Sequence, residues 1–338
     1  LIREGELGVS DAYLEGHWST PDLRAFMDLV HMGSETAYDG FTGKFLVQAY
    51  ERLRFWLHRN NRRQAKKNIS YHYDLGNDFY ALWLDDTMTY SSAIFETGQE
   101  SLERAQTAKY ASMVDEMGVK PGDHVLEIGC GWGGFAEYAA KERGLRVTGL
   151  TISQEQLKFA RERIEKAGIS DLVDLKLQDY RDEQGQYDGI ASIEMFEAVG
   201  QKYWPVYFDT VRDRLKPGAQ ATLQIITVGD HRWDYYKNGV DFIQKYIFPG
   251  GMLPSPTILR QQIDQAGLNV VRSKEFGKSY DLTLRRWFDT FNDKWDQISE
   301  MGFDERFRRM WNYYLTACGA AFDTGNCDVT QITIAKPS

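Results

Sequence analysis

The chain has 338 residues, 42% of them hydrophobic and 26% charged, with a formal net charge of −9. That length supports a sizeable core and about two domains. The acidic balance argues against nucleic acid as the main partner, and no apolar run of about 18 residues marks a membrane-spanning helix. Three cysteines, Cys130, Cys318 and Cys327, show neither a paired nor a metal-ligand spacing. They suit a reducing cytoplasm, with no disulfide framework and no metal site.

In chain order, residues 1–60 read as a small, mostly helical unit. The chain opens LIREGELG, without an initiator Met or a signal-peptide pattern, so this unit is expected to be truncated. STPDLRAFMDLV (19–30) offers a Ser or Thr cap, a Pro near the first helical position and apolar residues at helical spacing. GKFLVQAYERLRFWLHR predicts another helix. Residues 52–67, RLRFWLHRNNRRQAKK, carry seven Arg or Lys and no acid, and 61–68 read as a basic linker. The run has two readings: a solvated helix or linker, or a surface for anionic membrane into which Phe55, Trp56 and Leu57 dip.

From Ile69 a second unit, 69–338, begins. Beyond Asp123 strand and helix alternate: HVLEIG, helix 133–143, RVTGLT, helix 154–167, VDLKLQD, YDGIASIE, helix 204–215 and ATLQIITV. Apolar strands separated by helices of about a dozen residues predict an α/β fold, a mostly parallel Rossmann-like sheet with helices on both faces. An aromatic insertion, 229–256, follows. Helices are then expected around 281–298 and 304–322, with NVVRSKEFG and CDVTQITIAKP as late strands.

The loop DHVLEIGCGWGGF (123–135) ends the first strand with Gly129, Gly131, Gly133 and Gly134. Glycine is needed where backbone approaches a ligand closely or takes positive φ. Such a loop serves NAD and S-adenosylmethionine alike. Three neighbours favour the sulfonium cofactor. Glu127 would repel a pyrophosphate but suits a cationic group. No acid ends the second strand at Thr151 for a dinucleotide ribose, because Ser153 and Gln156 form a capping box that puts Glu155 inside the next helix. RLKPGAQATL (214–223) resembles the Pro-Gly entry to the fifth strand of class I methyltransferases.

Six segments in order, YHYDLGNDFYALWLDDTMTYSSAIFE (71–96), VLEIGCGWGGFA (125–136), GLTISQEQ (149–156), SIEMFEAVG (192–200), YIFPGGMLPS (246–255) and RFRRMWNYYLTACGAAF (306–322), resemble cyclopropane-fatty-acyl-phospholipid synthases and their mycolic-acid relatives. Residues 5–30 also look like the small N-terminal domain of the bacterial members. The resemblance implies a cis double bond of a phospholipid acyl chain attacking the methyl group of S-adenosylmethionine and passing through a carbocation. Such a site must exclude water and tolerate positive charge, which aromatic faces do. For the cofactor the resemblance implies Tyr90, Ser91, the glycine loop, Thr151, Gln156, Gln178, Asp179 and Tyr180. For catalysis it implies Glu197, Tyr314 and the position of Ser92, around a bound bicarbonate base. Ile226, Val228, Tyr246 and Phe248 fall in the acyl pocket or anion site.

Two departures bear on the product. Ser92 stands where the family has Cys, and Ile226 where it has His. Proton loss from the added methyl closes a cyclopropane; loss elsewhere gives a methylated alkene or a methylene branch. The resemblance implies a cyclopropane acyl chain as the product, and a displaced proton acceptor makes the ring-free products the alternative. A nicotinamide oxidoreductase, a methyltransferase acting on oxygen or nitrogen, and a non-catalytic lipid-binding protein are the rival classes. The resemblance further implies work at the inner face of the cell membrane and, for the N-terminal unit, membrane docking and a homodimer.

Overall fold

The computed structural model describes residues 5–32 and 75–338. Five parallel strands, β1 (His124–Ile128), β2 (Arg146–Thr151), β3 (Val173–Leu177), β4 (Tyr187–Ile193) and β5 (Leu215–Val228), form the sheet expected from the alternating pattern. The late strands β6 (Asn269–Glu275) and β7 (Cys327–Ala335) complete it, with β7 antiparallel to both neighbours. The order is β3-β2-β1-β4-β5-β7-β6. The chain therefore reverses direction across the sheet between β1 and β4. A crevice opens at their carboxyl ends, where such sheets bind ligands.

Neighbouring residues of each strand point to opposite faces. Val125, Val147 and Val173 pack with helices 102–117, 134–143 and 154–166. Leu126, Leu150 and Leu223 pack on the other face with Trp204, Phe208 and Ile263. A third, aromatic core joins Phe79, Trp83, Trp287 and Trp311 above the crevice.

Two expectations needed correction. The first N-terminal helices are α1 (Gly5–Leu14) and α2 (Leu23–Met32), so α2 starts later than the Ser-Thr-Pro signal suggested. Asp22 Oδ1, rather than Ser19 or Thr20, accepts from the N–H of Ala25 at 2.9 Å, leaving Pro21 outside the helix. The helix expected at 281–298 is two, Gly277–Asp293 and Trp295–Glu300, because Lys294 leaves helical geometry at φ −98° and ψ 7°. The helix expected within 43–59, the basic run 52–67 and the 61–68 linker lie outside the described residues.

Both N-terminal helices lie against the long helix Glu305–Asp323. Arg24 reaches Asp281 at 2.5 Å and Asp323 at 3.0 Å. Arg309 donates to the carbonyls of Tyr13 and Trp18, with its guanidinium 4.0 Å over the Tyr13 ring. Asp11 holds Lys245 at 2.9 Å and Tyr246 at 2.7 Å. Among the described residues no helix is long and apolar enough to cross a membrane.

Candidate active site

The glycine loop leaves β1 at the switch point. Gly129 and Cys130 donate their N–H groups to the carbonyl of Leu150 on β2, which ties the loop to its neighbour strand. Gly129 has φ +86°, and a Cβ there would meet Met195 Cγ at 2.8 Å. Gly131, at φ +50°, has nothing within 4 Å of where a Cβ would sit. The first glycine is thus required by conformation and packing; the second keeps backbone open to the cavity.

Glu127 lies beneath this loop, 3% exposed, with Oε2 buried and without a hydrogen-bond partner. Burial pushes its carboxyl up to about 8, against the pull of Lys109 and Arg163. A buried carboxyl short of partners leaves an acceptor for the N–H of a cationic ligand group, whose charge would draw off the carboxyl's proton. At the end of β2, Thr151 donates its hydroxyl hydrogen to Gln156 Oε1 at 3.1 Å. Ser153 caps the next helix as expected, its Oγ accepting from the N–H of Gln156 at 3.3 Å. The reciprocal arm of the box is absent: the N–H of Ser153 goes to Thr151 Oγ1. Gln156 is free of that capping duty and turns to Thr151 at the cavity wall. These residues fit S-adenosylmethionine.

The crevice holds a cavity of about 430 Å³. Its walls bring together Tyr90, Ser91, Glu127, Gly129 and Gly131 with Thr151 and Gln156. Gln178, Asp179 and Tyr180 add an edge where Asp179 is already paired with Arg181. Farther in, Glu197, Ile226, Val228, Phe248 and Tyr314 share the same cavity. Tyr90 and Tyr314 hydroxyls are 2.8 Å apart, and the Tyr90 ring sits 5.2 Å from Trp287. Aromatic faces therefore line the space into which a hydrocarbon chain would run.

Three expected site residues are not on this wall. Ser92 is fully buried and donates its hydroxyl hydrogen to the carbonyl of Ala93 at 3.0 Å. Gly133, at φ +83°, caps the helix Gly134–Arg143 and packs where a Cβ would meet Ala160 at 3.1 Å. Tyr246 turns outward to Asp11.

The structure also adds a residue that pattern reading passed over. Glu194 has φ +48°, a conformation uncommon for a side chain other than Gly, Asn or Asp. It lines the cavity, with Oε1 accepting from Ser92 N–H and Gln224 Nε2, both at 2.8 Å, and Oε2 from the Tyr280 hydroxyl at 2.7 Å. Burial raises its carboxyl, while Tyr280, Gln224 and Lys109 oppose that rise. The Glu197 carboxyl accepts from the N–H of Ile226 through Oε1 at 2.6 Å, and its buried Oε2 has no partner. Burial, and then the charge of Glu194, push Glu197 up to about 8. Glu194 is thus the carboxyl held by three donors, and Glu197 the one held by a single donor and pushed up by burial and by its neighbour. The only sequence signal was two glutamates three apart in SIEMFEAVG.

Fold and site together define a class I S-adenosylmethionine-dependent methyltransferase. The family model described as mycolic acid cyclopropane synthetase matches residues 60–332. The tuberculostearic acid methyltransferase UfaA1 of Mycobacterium tuberculosis is 38% identical over 99% of this chain and 80% of its own length. The cyclopropane-fatty-acyl-phospholipid synthase of Escherichia coli (strain K12) is 37% identical over 99% of this chain and 85% of its own. Among solved structures, the mycolic acid cyclopropane synthase CmaA1 complexed with SAH and CTAB superposes with a TM-score of 0.75 at 30% identity, covering 80% of this chain and 98% of that one. The chain belongs to the mycolic acid cyclopropane synthetase family. It is a methyltransferase that uses S-adenosylmethionine to modify lipid acyl chains.

Proposed function

We propose that the enzyme methylates the cis double bond of an unsaturated phospholipid acyl chain and removes the excess proton without closing a ring, giving a methylene-branched chain or a methylated alkene. The observation that carries this reading is Glu194, a carboxylate of the chain itself, fixed in the cavity wall by Tyr280, Gln224 and Ser92. S-adenosylmethionine, when bound, supplies an electrophilic methyl group. Glu127 and the glycine loop hold the cationic end of that ligand, with Tyr90 and Ser91 opposite. Tyr90, Phe248 and Tyr314 tolerate the positive charge left on the acyl chain and keep water out. Glu194 accepts the proton that the cation sheds, from the added carbon after a hydrogen shift or from the next carbon of the chain. Conversion of the product to a methyl-branched chain then requires a separate reduction.

Several contacts speak against a bound bicarbonate base. Ser92 points its hydroxyl away from the cavity, and Ile226 has no side-chain donor. The N–H of Ile226 is taken by Glu197, and that of Val228 by the carbonyl of Pro254 at 3.0 Å. An anion placed here would meet the Glu194 carboxyl and find neither of these backbone N–H groups free. Ring closure is the second reading. It is favoured by Glu197 and the Tyr90–Tyr314 pair standing together in the cavity, and by the relatives named as cyclopropane synthases.

The test is purified protein with labelled S-adenosylmethionine and vesicles of a cis-monounsaturated phospholipid, with mass spectrometry of the released chains. A methylene or methylated-alkene product is expected; cyclopropane as the sole product overturns the reading. In this proposal the enzyme works peripherally at the inner membrane face. Residues 1–60 form a docking unit joined to 69–338 through the basic linker, and a homodimer is the working assembly. The basic run 52–67 then gives tighter binding to anionic than to zwitterionic vesicles, weakening with salt.

A further inference from the structure

Helix 102–117 carries a buried lysine with no place in the chemistry above. Among the described residues Lys109 is the only lysine in the buried set, at 0% exposure. Its Nζ donates to Ser91 Oγ at 2.6 Å and sits 4.6 Å over the Tyr110 ring. Burial lowers its ammonium to about 7, and the carboxyls of Glu194, Asp85 and Glu127, in that order, oppose the fall.

The same helix grips the cavity wall at three points. Gln106 Nε2 donates to the carbonyl of Ser91 at 2.9 Å, Lys109 to its hydroxyl, and Tyr110 shares a 2.7 Å hydrogen bond with Thr89. Thr89, Tyr90 and Ser91 line the cavity across from the glycine loop. An ammonium has no lone pair, so Ser91 Oγ only accepts from Lys109, and the serine keeps its own hydrogen to donate. An ammonium bonded to that oxygen polarises the hydroxyl and makes it a stronger, charge-assisted donor. Such a donor fits a carboxylate. The methionyl end of the cofactor carries one, beside an ammonium and a sulfonium that suit Glu127.

We propose that Lys109 is a positioning residue: through the Ser91 hydroxyl it presents a polarised donor to the carboxylate of bound S-adenosylmethionine. This rests on the cofactor lying along the glycine loop with its amino-acid end toward Ser91. It gives a role to a buried lysine with one hydrogen bond, because the ligand's carboxylate favours the charged form of the amine. The residue acts on binding and orientation, not on proton transfer.

The test compares two ligands that differ only in the carboxylate, S-adenosylmethionine and its decarboxylated form, by calorimetry on the full chain. Wild type is expected to bind the carboxylated ligand more tightly. Lys109→Met, close in shape and uncharged, is expected to weaken S-adenosylmethionine roughly tenfold to a hundredfold. It should leave the decarboxylated ligand nearly unchanged. Ser91→Ala, which leaves the charge in place, should lose the same preference. The double variant should lose no more than either single one. Equal weakening of both ligands in the variants, or no weakening of either, overturns the proposal. Should Lys109→Met not fold, Ser91→Ala alone decides: an intact preference for the carboxylated ligand defeats the idea. Failure of wild type to bind either ligand strikes the cofactor placement instead, so the two failures are distinguishable.

Discussion

The Tyr280 hydroxyl donates to Glu194 Oε2 at 2.7 Å, while three residues along the chain Glu197 keeps an Oε2 that nothing reaches. The pair is chemically similar and electrostatically unlike. Burial raises both carboxyls; on Glu194 the hydrogen bonds from Tyr280 and Gln224 oppose the rise, while on Glu197 the charge of Glu194 adds to it. Glu194→Gln is therefore expected to lower turnover about a hundredfold to ten-thousandfold with cofactor affinity retained. Glu197→Gln, which replaces a group already neutral, is expected to cost no more than roughly tenfold. Initial rates with a monounsaturated phospholipid, set beside cofactor titration, separate the two.

Bicarbonate depletion should leave the rate unchanged. The N–H groups of Ile226 and Val228 and the hydroxyl of Ser92 are spent inside the protein. Assays in carbon-dioxide-free buffer, with and without added bicarbonate, check this. Recovery of activity on adding the anion would assign proton removal to it rather than to Glu194.

Gly129→Ala places a methyl group 2.8 Å from Met195 Cγ at a backbone φ of +86°. We expect a stability loss of about 1–3 kcal/mol from strain and crowding. Cofactor binding should fall by roughly tenfold or more as the loop shifts. Denaturant unfolding and calorimetry read the two effects. Gly131→Ala meets backbone strain without a clash, so its stability cost should be the smaller.

The carboxyl of Glu127 titrates near 8 in the folded chain against a usual value of 4.5. The folded state thus holds a proton that the unfolded state has released between those pH values. Its contribution is present below pH 4.5 and is lost as pH rises toward 8. Glu127→Gln removes that loss. Its melting temperature relative to wild type, without cofactor, should climb across this window by on the order of a few degrees. Differential scanning calorimetry from pH 4.5 to 8 measures the gap; a constant gap contradicts the assignment.

Arg24 is the polar clasp between the second N-terminal helix and the helices 277–293 and 305–323, through Asp281 and Asp323. Arg24→Met leaves Asp281 with Arg285 as its remaining ion-pair partner. A destabilisation of about 1–3 kcal/mol is expected. Faster hydrogen exchange over 5–32, with the β-sheet protected as before, would show that the loss is local.

The alternation of apolar strands with helical segments was sufficient for the sheet, because each period of burial is local. The glycine loop was legible for the same reason: positive φ and close approach are backbone requirements written in residue type. The motifs likewise placed Tyr90, Glu127, Thr151 and Tyr314 around one cavity. Ser92 and Tyr246 were misplaced, since neighbours in sequence such as Ser91 and Ser92 point to different sides of the wall and no pattern says which. Glu194 and Lys109 stayed hidden because their meaning is made by distant partners: Tyr280, Gln224 and Ser92 for one, Ser91 for the other. Sequence determined the fold, the cofactor class and the family, all carried by local pattern. Tertiary structure alone decided which buried charges face the cavity, because desolvation and hydrogen bonding depend on what the fold brings within a few ångströms.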